Sequence, residues 1–195
     1  MSKNNGFEMT SLNPGWIKRR VPDSYADESL NRIILFFVIN TPCIDLSSSR
    51  LPLTEYGWGK NVWQNDVLKN VLLDQANLKR GETFVIAKSI NDMKNACETA
   101  RLKKGFHNNR ENERIAIYKP SKYNEFMSVF YHIRNALAHG RLAMYPIGDG
   151  VDITFALEAG VKKNEEFQVR SRMILRKSTL INWIEIIQAG PLGTL

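Results

Sequence analysis

Residues 151–176, VDITFALEAGVKKNEEFQVRSRMILR, contain the clearest strand pattern in this chain of 195 residues. Every second side chain is apolar over residues 151–157, and the pattern returns over residues 167–175. Apolar residues at a period of two indicate strands with one face against a core and the other against water. Together with a third strand at 141–147, the pattern predicts a small antiparallel β meander over about residues 141–176.

The polar face of this meander is basic at its second half. Arg170, Arg172 and Arg176 alternate with the apolar side chains and are expected on one strand face. Arginines in that arrangement either contact phosphates or keep a wet face soluble. The sequence leaves both alternatives open.

Outside the meander, apolar residues recur mainly at helical spacing. Residues 83–87 fit a short strand or a buried helical turn, and residues 114–118 fit a short strand. Because so few strands cannot enclose a core of their own, we predict a mainly α fold, a helical bundle with a β elaboration and a C-terminal helix. One domain spans residues 24–195 after an N-terminal arm at 1–23. Helices are predicted at about residues 24–40, 61–79, 89–100, 120–139 and 180–189.

The composition excludes several classes of protein. Apolar residues make up 43% and charged residues 24%, as in globular proteins rather than disordered ones. The longest apolar run, Ile33 to Ile39, is too short to span a membrane, and the N-terminus lacks a signal-peptide pattern. Cys43 and Cys97 form no CxxC pair, which argues against a disulfide framework and a thiolate zinc site. We therefore expect a soluble cytoplasmic protein without a metal or cofactor.

The net charge of +7 is concentrated in the middle of the chain. Residues 79–122 hold eleven basic and five acidic side chains, whereas residues 1–78 are neutral. Concentrated basicity indicates either an anionic partner, with nucleic acid the commonest, or a solvated surface. The candidate phosphate-binding residues are Arg101, Lys103, Lys104, Arg110, Arg114 and Arg141.

The sharpest motif is Arg134-Asn135-Ala-Leu-Ala-His139-Gly140, at the end of the fourth predicted helix. The apolar stripe of that helix predicts an inward or interface-facing side chain at position 134, where the chain carries arginine. Arginine is rarely buried without a partner, and such a break in pattern often marks function. Asn135 lies four residues before His139, so that its side chain is expected to orient the imidazole by a hydrogen bond.

These residue types suit RNA cleavage without a metal. That reaction needs a base to activate the 2′-hydroxyl, an acid to protonate the leaving 5′-oxygen, and a cation for the charged phosphoryl intermediate. Histidine titrates nearest neutral pH and is the usual proton carrier. Arginine presents a fixed fork of donors to phosphate oxygens. His139 and Arg134 are thus candidate catalytic residues, with Asn135 as a positioning residue.

At this motif the chain resembles the HEPN family (higher eukaryotes and prokaryotes nucleotide-binding domain). Its ribonuclease members carry Arg, a polar residue, three variable residues and His, which Arg134, Asn135 and His139 match. The resemblance covers mainly residues 120–140. It implies an up-and-down helical bundle and a metal-independent endoribonuclease that leaves 2′,3′-cyclic phosphate ends on RNA. It also implies a homodimer with a composite cleft, and a toxin or antiphage-defence effector with an antitoxin or defence-system partner.

One position departs from the family pattern. Toxins of this family that are neutralised by adenylylation carry Tyr two residues after the histidine, where this chain has Arg141. That mode of inhibition is therefore not expected here. Arg141 either adds a phosphate contact or begins a strand.

Other interpretations of the same residues remain. Arg134 and His139 would also be favourable as cations at a helix C-terminus without any catalytic role. The chain would then be a non-catalytic HEPN module that binds RNA or nucleotides or serves assembly, or a helical immunity or antitoxin protein. His132 and His107 are weaker candidates. His132 is either a metal ligand, which would need a third strong ligand, or a neutral surface or interface residue. His107 in the basic loop is either a phosphate contact or incidental.

Overall fold

A six-stranded sheet forms the centre of the molecule. The computed structural model describes residues 7–17, 21–43, 49–62, 66–148 and 150–191. The strands are β1 (Met9–Ser11), β2 (Phe84–Ala87), β3 (Arg114–Tyr118), β4 (Leu142–Ile147), β5 (Asp152–Lys163) and β6 (Glu166–Arg176). The helices are α1 (Glu28–Ile34), which continues as a π-helical turn over Leu35–Ile39, α2 (Asp66–Gln75), α3 (Met93–Thr99), α4 (Glu125–Ala138) and α5 (Lys177–Ala189).

The β5–β6 hairpin organises the sheet. The strand order is β2-β3-β6-β5-β4, and β1 pairs with the beginning of β6. Only the β2–β3 pair is parallel, and the other pairs among the described strands are antiparallel. The prediction of a mainly α helical bundle is therefore wrong, since the fold is mixed α/β. The meander predicted at 141–176 is present, but it is the central part of a larger sheet rather than an elaboration.

Both faces of the sheet are covered. On one face, α1, α2, α4 and α5 enclose the larger core, in which Phe126, Phe130 and Trp183 pack against Phe155 and Leu175. On the other face, α3 and the segment after it form a smaller core. Its members from the helical side include Met93, Cys97, Leu102 and Phe106, and its members from the sheet include Ala116, Ala156, Val169 and Ile174.

The strand face predicted to be wet is buried, and this explains the wrong fold class. Thr154, Glu158 and Gln168 alternate with the apolar side chains as expected, yet each is at most 6% exposed. Alternation predicts a solvated face, but Thr154 and Glu158 lie under the second layer, on the same side of β5 as Ala156 of the smaller core. Arg172 is also buried, at 2% exposed, whereas Arg176 lies at the surface.

The three arginines of β6 do not share one face. The pairing of β5 with β6 shifts after Ala159 and Ser171, so that Gly160 faces Val169 and Arg170 is the extra residue of a bulge. A bulge of one residue reverses the side-chain alternation that follows it. The structure therefore does not bring Arg170, Arg172 and Arg176 together as a phosphate-binding row.

Helix boundaries follow the local capping residues. The first helix is capped by Asp27, which accepts a hydrogen bond from the Leu30 amide at 2.9 Å, rather than by Ser24. Ser89 and Asp92 form a capping box, which leads through a 3₁₀ turn into α3. The second helix is described only from Asp66, since residues 63–65 of the predicted 61–79 span lie outside the described residues.

The N-terminal arm is in part an element of the sheet. β1 extends the sheet beside β6, and the Trp16 ring then packs edge-on against Phe106 with centroids 5.2 Å apart. The C-terminal helix is confirmed, with Leu180, Trp183 and Ile187 fully buried in the larger core. No described helix is both long and apolar enough to cross a bilayer.

Candidate functional site

The motif lies at the open end of an otherwise buried helix. Asn124 caps α4 by accepting a hydrogen bond from the Met127 amide at 2.9 Å. After the first turn, the side chains of α4 are buried except for one stripe. That stripe consists of Tyr131, Arg134, Asn135, Ala138 and the helix-ending His139. Positions spaced by three and four residues lie on one face of a helix, so the three motif residues share a surface.

Arg134 does not occupy an inward position. The buried stripe continues from Phe130 through Ile133 and Leu137, and the Arg134 side chain lies half-buried beside it. Of the two positions that the sequence predicted for Arg134, the inward one is wrong, because the stripe advances by three residues at this point rather than by four. The interface-facing position stays a prediction. Arg134 instead reaches the boundary between core and solvent, with its Nε buried and its Nη1 bonded to Asn135.

Asn135 contacts the arginine rather than the histidine. The Nη1 of Arg134 donates to the Oδ1 of Asn135 at 3.1 Å. Between Asn135 and His139 the bond is the helical one, from the His139 amide to the Asn135 carbonyl at 3.1 Å. Among the described contacts, no hydrogen bond joins the side chains of these two residues. The predicted orientation of the imidazole by the Asn135 side chain is therefore wrong. His139 ends the helix with an exposed side chain, and Gly140 follows at a φ of 64°.

The buried thiol of Cys43 contacts α4, and its pKa responds to the charge of Arg134. Burial raises the pKa of the Cys43 thiol to about 12, while its hydrogen bond with Thr41 and the positive charges of Arg134, Arg50 and Lys122 oppose that rise. The Cys43 Sγ donates to the Met127 carbonyl of α4 at 3.5 Å. Sequence reasoning missed Arg50, which lies in a distant loop, and Lys122. The only signal for Lys122 was its place just before the helix cap.

The basic loop lies on the opposite face of the sheet from the motif. Arg101, Lys103 and Lys104 are exposed in the segment after α3, and Lys103 pairs with Glu98 at 3.1 Å. Arg110 is half-buried, with its guanidinium 4.2 Å from the Tyr145 ring centroid. Because α3 and α4 cover different faces of the sheet, the structure does not bring these predicted phosphate contacts next to the motif.

Arg114 is a structural residue. Its side chain is 3% exposed, and its guanidinium donates to the backbone carbonyls of Arg101, at 2.7 Å, Asn112 and Asn109. All of these acceptors lie in the connection between α3 and β3. The guanidinium thus holds the basic loop in place and has no free face for RNA, which corrects its assignment as a substrate-binding residue.

Arg141 is likewise enclosed. It is 8% exposed, donates to the Leu12 carbonyl at 2.8 Å, and forms an ion pair with the fully buried Glu158. The Arg141 guanidinium also lies 3.6 Å from the centroid of the Phe167 ring. Of the two alternatives left by the sequence, a phosphate contact is excluded by this burial. Arg141 immediately precedes β4 and ties it to β5 and the N-terminal segment.

His132 is separated from the motif by its burial. Although it follows Tyr131 on α4, it is 1% exposed, and its Nε2 lies 2.7 Å from the Tyr118 carbonyl of β3. Burial lowers the pKa of His132 to about 4, against the opposing effect of this hydrogen bond. The neutral ring therefore donates from Nε2. In the described part of the chain, no cluster of three or more His, Cys, Asp or Glu side chains is placed to hold a metal ion.

The pKa of His132 leads to a test of stability against pH. The unfolded histidine titrates near 6.5, so below that pH the unfolded state binds more protons and the free energy of unfolding falls. His132 alone contributes a loss of about 2 kcal/mol between pH 7 and pH 5. Glu113, whose pKa burial raises to about 7, contributes an opposite slope over the same range and offsets this loss in the parent. We therefore expect His132→Gln, whose amide can still donate to Tyr118, to gain about 2 kcal/mol relative to the parent between pH 7 and pH 5, measured by urea unfolding of both proteins.

Comparison with protein-family models, with curated proteins and with solved structures finds no match to this chain. The geometry of the site and the motif resemblance are therefore the only grounds for a functional proposal.

Proposed function

We propose that this chain is a HEPN-type, metal-independent endoribonuclease that cleaves RNA to 2′,3′-cyclic phosphate ends. The observation that carries the proposal is the open stripe of α4, on which Arg134, Asn135 and His139 share one accessible surface. Around it the helix is buried, so the motif is held on a rigid support. Rigid elements position catalytic groups more accurately than loops do.

The contacts suggest a role for each residue. Arg134 contacts the scissile phosphate, because its guanidinium fork matches phosphate oxygens and lies at the edge of solvent. Asn135 holds that guanidinium through the 3.1 Å bond and is its positioning residue. His139 transfers protons, since its imidazole is exposed and free to approach a ribose hydroxyl.

Two proton transfers are required, and each motif contributes one histidine. In our proposal a second copy of the chain supplies the other histidine or an arginine, in a homodimer with a composite cleft. The proposal also includes RNA as substrate, a cytoplasmic toxin or antiphage-defence effector as the biological role, and an antitoxin or other defence protein as partner.

A second candidate function is a non-catalytic module that binds RNA or nucleotides. One observation favours it: Arg101, Lys103, Lys104 and Arg110 lie across the sheet from the motif, so a charged surface exists that does not depend on catalysis. In that case Arg134 and His139 serve only the end of α4, where positive charge is favourable.

The end chemistry of the RNA products tests the proposal. Purified protein is incubated with single-stranded and structured RNA in excess EDTA, and the products are examined for cyclic phosphate and 5′-hydroxyl ends. We expect cleavage that survives EDTA and leaves these ends, because attack by the 2′-hydroxyl needs no metal. RNA that stays intact, or ends that carry 5′-phosphate, would reject the proposed reaction. Retained RNA binding with no cleavage would favour the second candidate.

A further inference from the structure

A large cavity lies on the face of the sheet opposite α4. It has a volume of about 790 Å³ and lies between the N-terminal segment and the loop after α3. We name it the aromatic cavity; its walls include Trp16, Phe106, His107, Tyr145, Lys104 and Arg172. Pockets of roughly 300–1,000 Å³ are the usual size for small-molecule sites. The cavity is thus large enough for a ligand of nucleotide size.

One wall of the aromatic cavity is a stack of flat rings. The Trp16 indole and the His107 imidazole are nearly parallel, 17° apart, with centroids separated by 5.6 Å. Both side chains are half-exposed, while Phe106 below them is buried and meets the indole edge-on. Half-exposed parallel rings favour a flat heterocycle as ligand, because stacking continues the existing arrangement.

The wall is formed before any ligand binds. Arg172, at the base of the cavity, donates to Glu8 of the N-terminal segment and to the Leu102 carbonyl of the facing loop, both at 2.9 Å. Its guanidinium also lies 5.2 Å from the centroid of the Phe106 ring. A single buried cation therefore fixes both sides of the cavity, and little ordering is left to oppose binding.

The rim supplies charge of the sign that a phosphate needs. Lys104 lines the cavity with an exposed ammonium group, and Arg110 lies against the Tyr145 ring that forms another part of the wall. Glu166 also lines the cavity and offers an acceptor for an amino group or a ribose hydroxyl. Glu8 is already neutralised by Arg172. The stacked rings thus suit a flat heterocycle and the cationic rim suits a phosphate, and one ligand can contain both groups.

We infer that the aromatic cavity binds a nucleotide, with the base stacked on the Trp16–His107 wall and the phosphate toward Lys104. This site is separate from the motif on α4, since the sheet lies between them, and it does not depend on cleavage. The same chemistry is presented by a free mononucleotide and by one nucleotide of a single-stranded RNA.

Calorimetric titration distinguishes the two sources. The probes are AMP and a six-nucleotide oligoadenylate with 2′-O-methyl riboses, which resists cleavage through the 2′-hydroxyl. We expect saturable binding that weakens at least about tenfold in Trp16→Ala. In Lys104→Ala the slope of log Kd against log salt concentration should decrease by the amount expected for about one phosphate contact. Lys60→Ala, an exposed lysine next to Trp58 of the larger core, is the matched control and should bind as the parent does.

Binding of AMP identifies a free nucleotide as the ligand, and binding of the oligonucleotide alone identifies a base within RNA. Trp16→Phe, which keeps an aromatic ring, should retain most of the affinity and guards against loss of folding in Trp16→Ala. The inference is overturned if neither probe binds, or if both Trp16→Ala and Lys104→Ala bind like the parent. Cleavage in EDTA is measured in a separate experiment. If the protein has no ribonuclease activity, the binding measurement can therefore still be interpreted.

Discussion

Replacing His139 with alanine is expected to reduce RNA cleavage by at least about 100-fold. General acid or base catalysis by a positioned side chain contributes roughly 10²–10⁴-fold, and in the proposed mechanism no neighbouring group on α4 replaces the imidazole. Since His139 is exposed and ends the helix, its removal leaves the core untouched. The measurement is the initial rate of cleavage of one labelled RNA in EDTA, together with the urea midpoint of the variant.

Two comparisons make this result specific. Gln188→Ala removes an exposed polar side chain from the last turn of α5 and should cleave at the parent rate. Arg134→Lys keeps the charge but loses the fork and its bond to Asn135, so it should be impaired although its net charge is unchanged. If His139→Ala cleaves as fast as the parent, the histidine is not the proton carrier and the proposed roles are wrong.

The sequence predicted individual elements better than their assembly. The period-two pattern identified β5 and β6, and helical spacing identified α4 and α5, because each pattern reports the local burial of one face. The fold class depends on what covers the second face, and alternation alone carries no such information. Glu158 and Arg172 are typical of a wet face in sequence, yet they lie buried because each neutralises the other, with their atoms 2.8 Å apart.

The site was predictable to a similar extent. Helical periodicity placed Arg134, Asn135 and His139 on one helix, and the structure has them on one open stripe. Their partners could not be predicted, because hydrogen bonds such as that from Arg134 to Asn135 depend on side-chain conformation. Residues 79–122 do carry the excess positive charge, but these charges do not form the single basic surface that the sequence predicted. Arg114 is buried in bonds to backbone carbonyls, and the rest of the charge is divided between two faces of the sheet.

A chain of buried charges joins three parts of the fold. Glu158 of β5 is fully buried and accepts from Arg172 at 2.8 Å and from Arg141, and Arg172 in turn reaches Glu8 at 2.9 Å. The threonine hydroxyl of Thr10 in β1 also lies 3.4 Å from Glu158. The N-terminal segment, the end of α4 and the central hairpin therefore depend on one carboxylate.

Removing that carboxylate should have the largest effect on stability of any single change considered. Glu158→Ala leaves two buried guanidinium groups facing each other without their shared anion, and breaking a buried pair in this way typically costs about 3–5 kcal/mol. Glu158→Gln keeps the shape but not the charge and should also destabilise, by a smaller amount. The measurement is the free energy of unfolding from urea titrations followed by far-UV circular dichroism.

A double variant separates the cost of leaving buried charge unpaired from the cost of removing the Glu158 side chain. If the cost arises from unpaired buried charge, Glu158→Leu combined with Arg141→Met should be more stable than Glu158→Ala, because Arg172 retains Glu8 as its partner. Glu185→Ala, which breaks the exposed pair with Arg32, should change stability by no more than about 0.5 kcal/mol. A Glu158→Ala protein as stable as the parent would mean that water reaches both guanidinium groups, and the buried network would then hold neither the N-terminal segment nor the base of the aromatic cavity.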